Sequence, residues 1–269
     1  MFEVFLQGNP SLPFFRNPPK RIVSLVPSQT ELLYDLGLEK NVVGVTKFCV
    51  HPKDWLHTKT IVGGTKNFHI DRIRALQPDL IIANKEENTK EQVEQLANYA
   101  PVWVSDIECL DDALIMIHSI GYITNTSTKA KEIIHSIKSN FQISTTLTNS
   151  KTTHLKKAAY LIWQNPLITI GKDTFINNMM RYAGYDNIFN NKNRYPEISL
   201  SELQSALLSN ENDKSYLLLS SEPFPFKEKH IDFFKKALPG VEIMLVDGEY
   251  FSWYGSRLIH ASNYFKSLM

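Results

Sequence analysis

Cysteine is scarce in this chain. Cys49 and Cys109 are the two among 269 residues, which excludes the disulfide framework that holds small secreted domains together. A surplus of either charge is missing as well. The formal net charge is +1 and no long basic run occurs, so nucleic acid has no electrostatic footprint to follow. No stretch approaches the roughly 18 consecutive apolar residues of a membrane span. The opening residues, MFEVFLQGNPSLPFF, lack a basic start, a continuous apolar core and a small-residue cleavage site. As written, the chain is expected in the cytoplasm, or in the periplasm if translation starts further upstream. Also missing are a G-x-S-x-G elbow, a phosphate loop and a spaced carboxylate set, so no enzyme is expected. What remains is an ordinary globular composition, 43% hydrophobic and 21% charged.

The informative feature is a doubling. In RIVSLVPSQTELLYDLGL, from Arg21, a short β-branched run meets a Pro-Ser-Gln-Thr-Glu turn and then an apolar helix. The stretch from Ala158 to Gly184 follows the same plan, with Pro166, Gly171 and Asp173-Thr174 in the turn. A helix before a buried strand then recurs at His69–Lys85 and at Pro196–Glu222. Apolar strands without polar alternation, separated by helices, predict parallel α/β sheets covered on both faces. Between the halves, Ala130, Ile133, Ile134, Ile137 and Phe141 fall at helical spacing and predict a helix of about 20 residues, roughly 30 Å long. The sequence therefore predicts two similar α/β lobes with parallel sheets joined by one long helix. Residues 1–124 form the first lobe, 125–150 the connecting helix and linker, and 151–269 the second lobe. Two lobes imply a cleft, and clefts between domains are where ligands bind. A monomer is expected.

At the level of motifs, PPKRIVSLVPSQTELLYDLGL, VVGVTKFCVHP, DRIRALQPDLIIANK and WVSDI resemble the N-terminal lobe of the substrate-binding proteins of ABC importers for cobalamin and iron chelates. GKDTFINNMMRYAGYDNIF, RYPEISLSEL and SSEPFPF resemble their C-terminal lobe, so the resemblance runs from about Pro18 to the end. It implies the periplasmic-binding-protein-like fold of class III, the helical-backbone metal receptors. It also implies a metal chelate as ligand, most of all a corrinoid such as cobalamin, with haem or a ferric siderophore as the others, and no intrinsic cofactor. An ABC permease is the implied partner. Asp71 matches the docking acid of the first lobe. On the second lobe Ser201 stands where the acid is expected and Glu202 follows one position later. That departure, with the missing leader, points to a cytoplasmic relative that keeps the cleft without the transporter.

Mapped on the family's cleft loops, the ligand contacts fall on Phe48, Cys49 and His51, on Trp163, on Glu222 and Phe224, and on Trp253, Tyr254 and Arg257. Flat aromatic faces suit a planar macrocycle. Each candidate has a plain alternative. Cys49 packs inward or offers a thiolate; His51 bonds its own loop or reaches the metal as an axial imidazole. Two adjacent aromatics in a loop are hard to bury together, which favours ligand contact for Trp253 over core packing. Arg257 suits a ligand carboxylate or phosphate, a cap on the closing helix, or Glu222. The SSEPFPF segment is a binding wall or lobe packing. Three function classes follow: a chelate receptor, which leads; a cytoplasmic ligand sensor or scaffold of the same fold; and, last, an enzyme with Cys49 as nucleophile.

Overall fold

Strand and helix alternate along the chain because buried β-branched runs are punctuated by turn residues and amphipathic segments. The computed structural model describes residues 4–7, 17–148, 155–208 and 214–269, with side chains 142–148 left aside. In order, the elements are β1 (Val4–Leu6), β2 (Ile22–Ser24), α1 (Pro27–Asp35), β3 (Val42–Val45), α2 (Trp55–Thr58), β4 (Thr60–Ile61), α3 (Ile70–Ala75), β5 (Leu80–Asn84), α4 (Lys90–Leu96), β6 (Val102–Ser105), α5 (Leu110–Ile123) and α6 (Ser127–Thr148). Then come β7 (Lys156–Trp163), β8 (Leu167–Thr169), α7 (Phe175–Tyr182), β9 (Tyr185–Asn187), β10 (Glu197–Ile198), α8 (Leu200–Leu207), β11 (Ser215–Ser220), α9 (Glu228–Ala237), β12 (Glu242–Val246), α10 (Gly248–Ser252) and α11 (Leu258–Ser267). Among the described residues no helix is long and apolar enough to cross a membrane.

The chain folds into two compact units. The first holds Met1–Ile107, Asp111–Ile137 and Trp253–Ile259; the second holds Glu108–Leu110, Lys138–Ser252 and His260–Met269. The chain passes from one to the other within α6, whose stripe of Ala130, Ile133, Ile137 and Phe141 is buried as the spacing predicts. Residues 149–154, where the polar linker was expected, lie outside the described residues, as does most of the edge strand or hairpin expected over 2–20.

In the first unit the strands run in the order β1-β6-β5-β2-β3-β4, and every pairing is parallel. Val23, Ile81, Ala83, Val102 and Val104 bury one sheet face beneath Ile73, Val93 and Leu96 of α3 and α4. In the second unit the order is β10-β8-β7-β11-β12, with β9 beside β7. There β9, β11 and β12 lie parallel to their neighbours, while β8 and β10 add an antiparallel margin. Its core joins Leu161, Leu217 and Leu219 to Leu203, Phe226 and Phe234.

Thr30 or Ser28 reads as a helix cap, but α1 already begins at Pro27 and its N-cap, Val26, makes no side-chain cap bond. Proline at the first helical position has no N–H to leave orphaned and brings a helical φ. Thr30 is thereby one turn inside, its hydroxyl 2.9 Å from the Val26 carbonyl oxygen. The helix ends as Gly37 predicts. With φ at +80°, Gly37 donates to the Tyr34 carbonyl and Leu38 to that of Leu33, a Schellman closure.

Candidate functional site

In an open parallel sheet, ligands gather outside the carboxyl ends of the strands where the connections diverge. In the first unit that point lies between β2 and β5, because the chain goes from β2 to β3 on one side and returns through α3 to β5 on the other. The polar first turns of α1 sit there and are buried. Gln29 Nε2 donates to Ser105 Oγ, and the Asn84 amide donates to the same oxygen at 3.0 Å. The Thr30 hydroxyl lies 2.7 Å from Ser24 Oγ and 3.1 Å from Cys49 Sγ.

Cys49 belongs to the same polar cluster. It is fully buried, between Thr30 and Thr46 at 3.1 and 3.2 Å, and burial pushes its thiol above the ordinary range. Its loop, after β3, turns it inward because the Cys49 N–H bonds back to the Thr46 carbonyl. Phe48, on the same loop, is half exposed at 50%, with Lys47 Nζ 5.1 Å from its ring centroid. His51 is partly buried.

The late segment Trp253–Ile259 closes over α1 within this unit. Gly255 makes that approach possible: a Cβ on it would stand 2.5 Å from the Ser28 carbonyl oxygen. Arg257 forks onto Glu31, Nε to Oε2 at 2.9 Å and Nη2 to Oε1 at 2.7 Å. Their side chains are 12% and 17% exposed. One turn further along α1, the Ser256 hydroxyl donates to Asp35. The Arg257 guanidinium lies 4.9 Å from the Trp253 ring centroid, and the His51 ring meets that indole edge-on at 5.3 Å and 73°. Two expectations change here. Trp253 and Tyr254 are each 6% exposed, so Trp253 is not the open platform that two adjacent loop aromatics suggested: an imidazole and a guanidinium cover it. The fork of Arg257 is held by Glu31, a partner that the sequence did not offer. Glu31 is not among the residues that the motifs single out. Burial raises its carboxyl above the usual range, outweighing the lowering by Arg257 and His51.

The second unit presents its own carboxyl edge. β7 ends in Trp163, 38% exposed, with its indole N–H donating to the Asn165 carbonyl at 3.1 Å. Phe224 props that ring at 5.6 Å and is backed by Phe226 at 4.7 Å and His230 at 5.4 Å. The Phe224 N–H donates to the Ile162 carbonyl at 3.2 Å, fastening the loop after β11 to β7. Glu222 is half-buried and accepts from the Ser252 hydroxyl at 2.5 Å. The peptides preceding Pro52, Pro166 and Pro223 are cis. The two surface acids differ. Asp71 is exposed in the first turn of α3. Glu202, in the first turn of α8, pairs with Lys192 at 2.7 Å, while Ser201 bonds Ser199 at 2.9 Å. Among the described residues no group of three or more His, Cys, Asp or Glu is placed to hold a metal ion.

Known proteins resemble this arrangement. An uncharacterized ABC transporter substrate-binding lipoprotein of Bacillus subtilis, YvrC, is 30% identical over 171 residues, 61% of this chain and 54% of that protein. The chain therefore spans about half the length of that relative. A vitamin B12-binding protein of Vibrio parahaemolyticus is 25% identical over 195 residues, 72% of this chain and 70% of that one. Among solved structures, the periplasmic heme-binding protein RhuT of Roseiflexus shares the fold, with a TM-score of 0.77 at 19% identity over 93% of this chain and 98% of that one. The family described as periplasmic binding protein is matched across residues 22–234. With that match running from β2 into α9, the chain belongs to the periplasmic binding protein family.

Proposed function

We propose that this chain is a receptor for a metal chelate, a corrinoid above all, serving as the substrate-binding component of an ABC importer. The proposed ligand contacts of the first unit are Phe48 and His51, at the carboxyl edge of its sheet, and those of the second are Trp163, Glu222 and Phe224, at the carboxyl edge of its own. The observation that carries the reading is Trp163. A large indole face stands open at the end of β7 with its N–H already satisfied and Phe224 behind it, so a flat apolar surface is offered without an orphaned donor. His51 is the proposed axial imidazole. Trp253 and Arg257 support it from behind rather than touching the ligand. Asp71 and Glu202 are the proposed permease-docking acids. A catalytic role for Cys49 has no support, since a sealed thiol with a raised pKa supplies no thiolate.

The test is a titration of the purified chain with aquocobalamin, haem and a ferric hydroxamate, read by ligand absorbance and tryptophan quenching. Binding of at least one below about 100 μM, roughly −5.5 kcal/mol, is expected; failure of all three ends the proposal. Cell fractionation separates the importer from a sensor of the same fold. An envelope location fits the importer, and the family's relatives include a lipoprotein. A cytosolic one fits the sensor.

A further inference from the structure

We infer that His230, buried behind Phe224, is a positioning residue for the ligand. It sets the posture of the Trp163 ring through Phe224, and so tunes affinity without touching the ligand itself. This deepens the receptor reading above and rests on it. Every residue involved belongs to the second unit.

Phe224, Phe226 and His230 form a closed triangle of rings. The phenylalanine centroids lie 4.7 Å apart, and each lies 5.4 Å from the imidazole. The planes meet at 64°, 66° and 84°, the edge-to-face geometry that ring quadrupoles favour. Trp163 joins at the Phe224 corner, at 5.6 Å and 66°. Phe226 joins the core at Phe234, 6.4 Å away. Of the three rings the imidazole is the one that a hydrogen bond can hold, and the Lys227 N–H donates to its Nδ1 at 2.7 Å. Lys227 is the N-cap of α9 and His230 stands three residues on. The ring thus takes the place of the Glu or Gln of a capping box and satisfies an orphan backbone donor. A glutamine there would make the same bond but leave Phe224 and Phe226 without a ring to lean on, so the imidazole serves α9 and the aromatic loop at once. The backbone of that loop is held separately. Pro223 and Pro225 fix φ on either side of Phe224, and the Phe224 N–H bonds the Ile162 carbonyl at 3.2 Å. What remains to be fixed is the Phe224 side chain, and through it the indole, whose N–H is tied to the Asn165 carbonyl at one edge. A ring already ordered before binding costs less to immobilise in the complex. Without the imidazole, Phe224 turns toward the vacated space and the indole rocks about its tied edge.

The test separates the helix cap from the ring. His230→Gln keeps an acceptor for the Lys227 N–H and removes the imidazole. Trp55, Trp103 and Trp253 are buried while Trp163 is 38% exposed, so iodide quenching of tryptophan fluorescence reads mainly Trp163. In the ligand-free protein His230→Gln is expected to raise the quenching constant with the circular dichroism spectrum unchanged. In titrations with aquocobalamin, haem and a ferric hydroxamate, it is expected to weaken the tightest-bound of the three about threefold or more, yet less than about twofold in the Trp163→Ala background, because residues that act as a unit are not additive. His230→Asn, which also keeps an acceptor, answers the same questions should His230→Gln not fold. Unchanged quenching, or an equal loss of affinity with and without Trp163, overturns the inference and leaves the receptor reading standing. If none of the three ligands binds, the receptor reading falls and takes the ligand role of His230 with it, whatever the quenching.

Discussion

Replacing Arg257 by methionine tests the central pair of the first unit. Two unit charges about 4 Å apart attract by about 4 kcal/mol at an effective dielectric of about 20. Against that stands the cost of burying both, and here burial wins at Glu31: its pKa stays raised even with the fork in place. The pair is therefore no net stabiliser, and its disruption is nonetheless costly, because one charge is left behind without its partner. Loss of one member of a buried pair costs about 3–5 kcal/mol. With side chains 12% and 17% exposed, water relieves part of this, and Arg257→Met is expected to cost about 2–3 kcal/mol. Glu31→Gln should cost less, since an amide oxygen still accepts from the guanidinium. The double variant should fall short of the summed singles by about 2 kcal/mol, the range of coupling between residues in contact. Urea unfolding with an unchanged m-value reads all three. The pH dependence gives an independent handle. A glutamate whose folded pKa is raised keeps its proton to a higher pH than in the unfolded chain. Between the ordinary value and the raised one the folded state binds more protons, so this contribution to stability declines as pH rises. That slope should vanish in Glu31→Gln and extend to higher pH in Arg257→Met, where the lowering influence is gone. Additive single variants, or a slope of opposite sign, would refute the account.

Other outcomes follow from the same packing. In the native protein an alkylating reagent should label Cys109, which is partly exposed, while Cys49 reacts only on unfolding; peptide mass spectrometry reports which. Gly255→Ala should destabilise by about 1–3 kcal/mol, the cost of overpacking, because its Cβ meets the Ser28 carbonyl at 2.5 Å; the melting temperature checks it. Trp163→Ala should leave stability within about 1 kcal/mol, as expected of an exposed site, yet weaken ligand binding at least about tenfold, separating a binding face from a core residue.

The sheets were legible because burial leaves a mark on composition. Leu80–Ala83 reads as an unbroken apolar strand and is buried throughout, and the α6 stripe follows from spacing alone. Short antiparallel pieces escaped. β8 and β10 hold three and two residues, too few for any period to register. The candidate site was legible as a set of loops and less so as side chains. Phe48 and Trp163 are open and Glu222 is half-buried, but whether an aromatic in a loop is covered depends on what arrives from elsewhere in the chain. Trp253 is buried by His51, about two hundred residues away. The Glu31–Arg257 pair joins residues 226 apart, and no local pattern can announce such a pairing. An acid directly after the polar first turn of α1 was the available sign.

The position of Trp253–Ile259 also bears on how the protein comes into being. A ribosome releases the first unit's sheet early, yet the strap that seals α1 follows β12, the last strand of the second sheet. For most of elongation the nascent chain therefore carries Leu32 without the Gly255 backbone against it, and Glu31 and Asp35 without their cover. The part made first is thus finished nearly last, and growth of one unit is tied to completion of the other by covalent order alone.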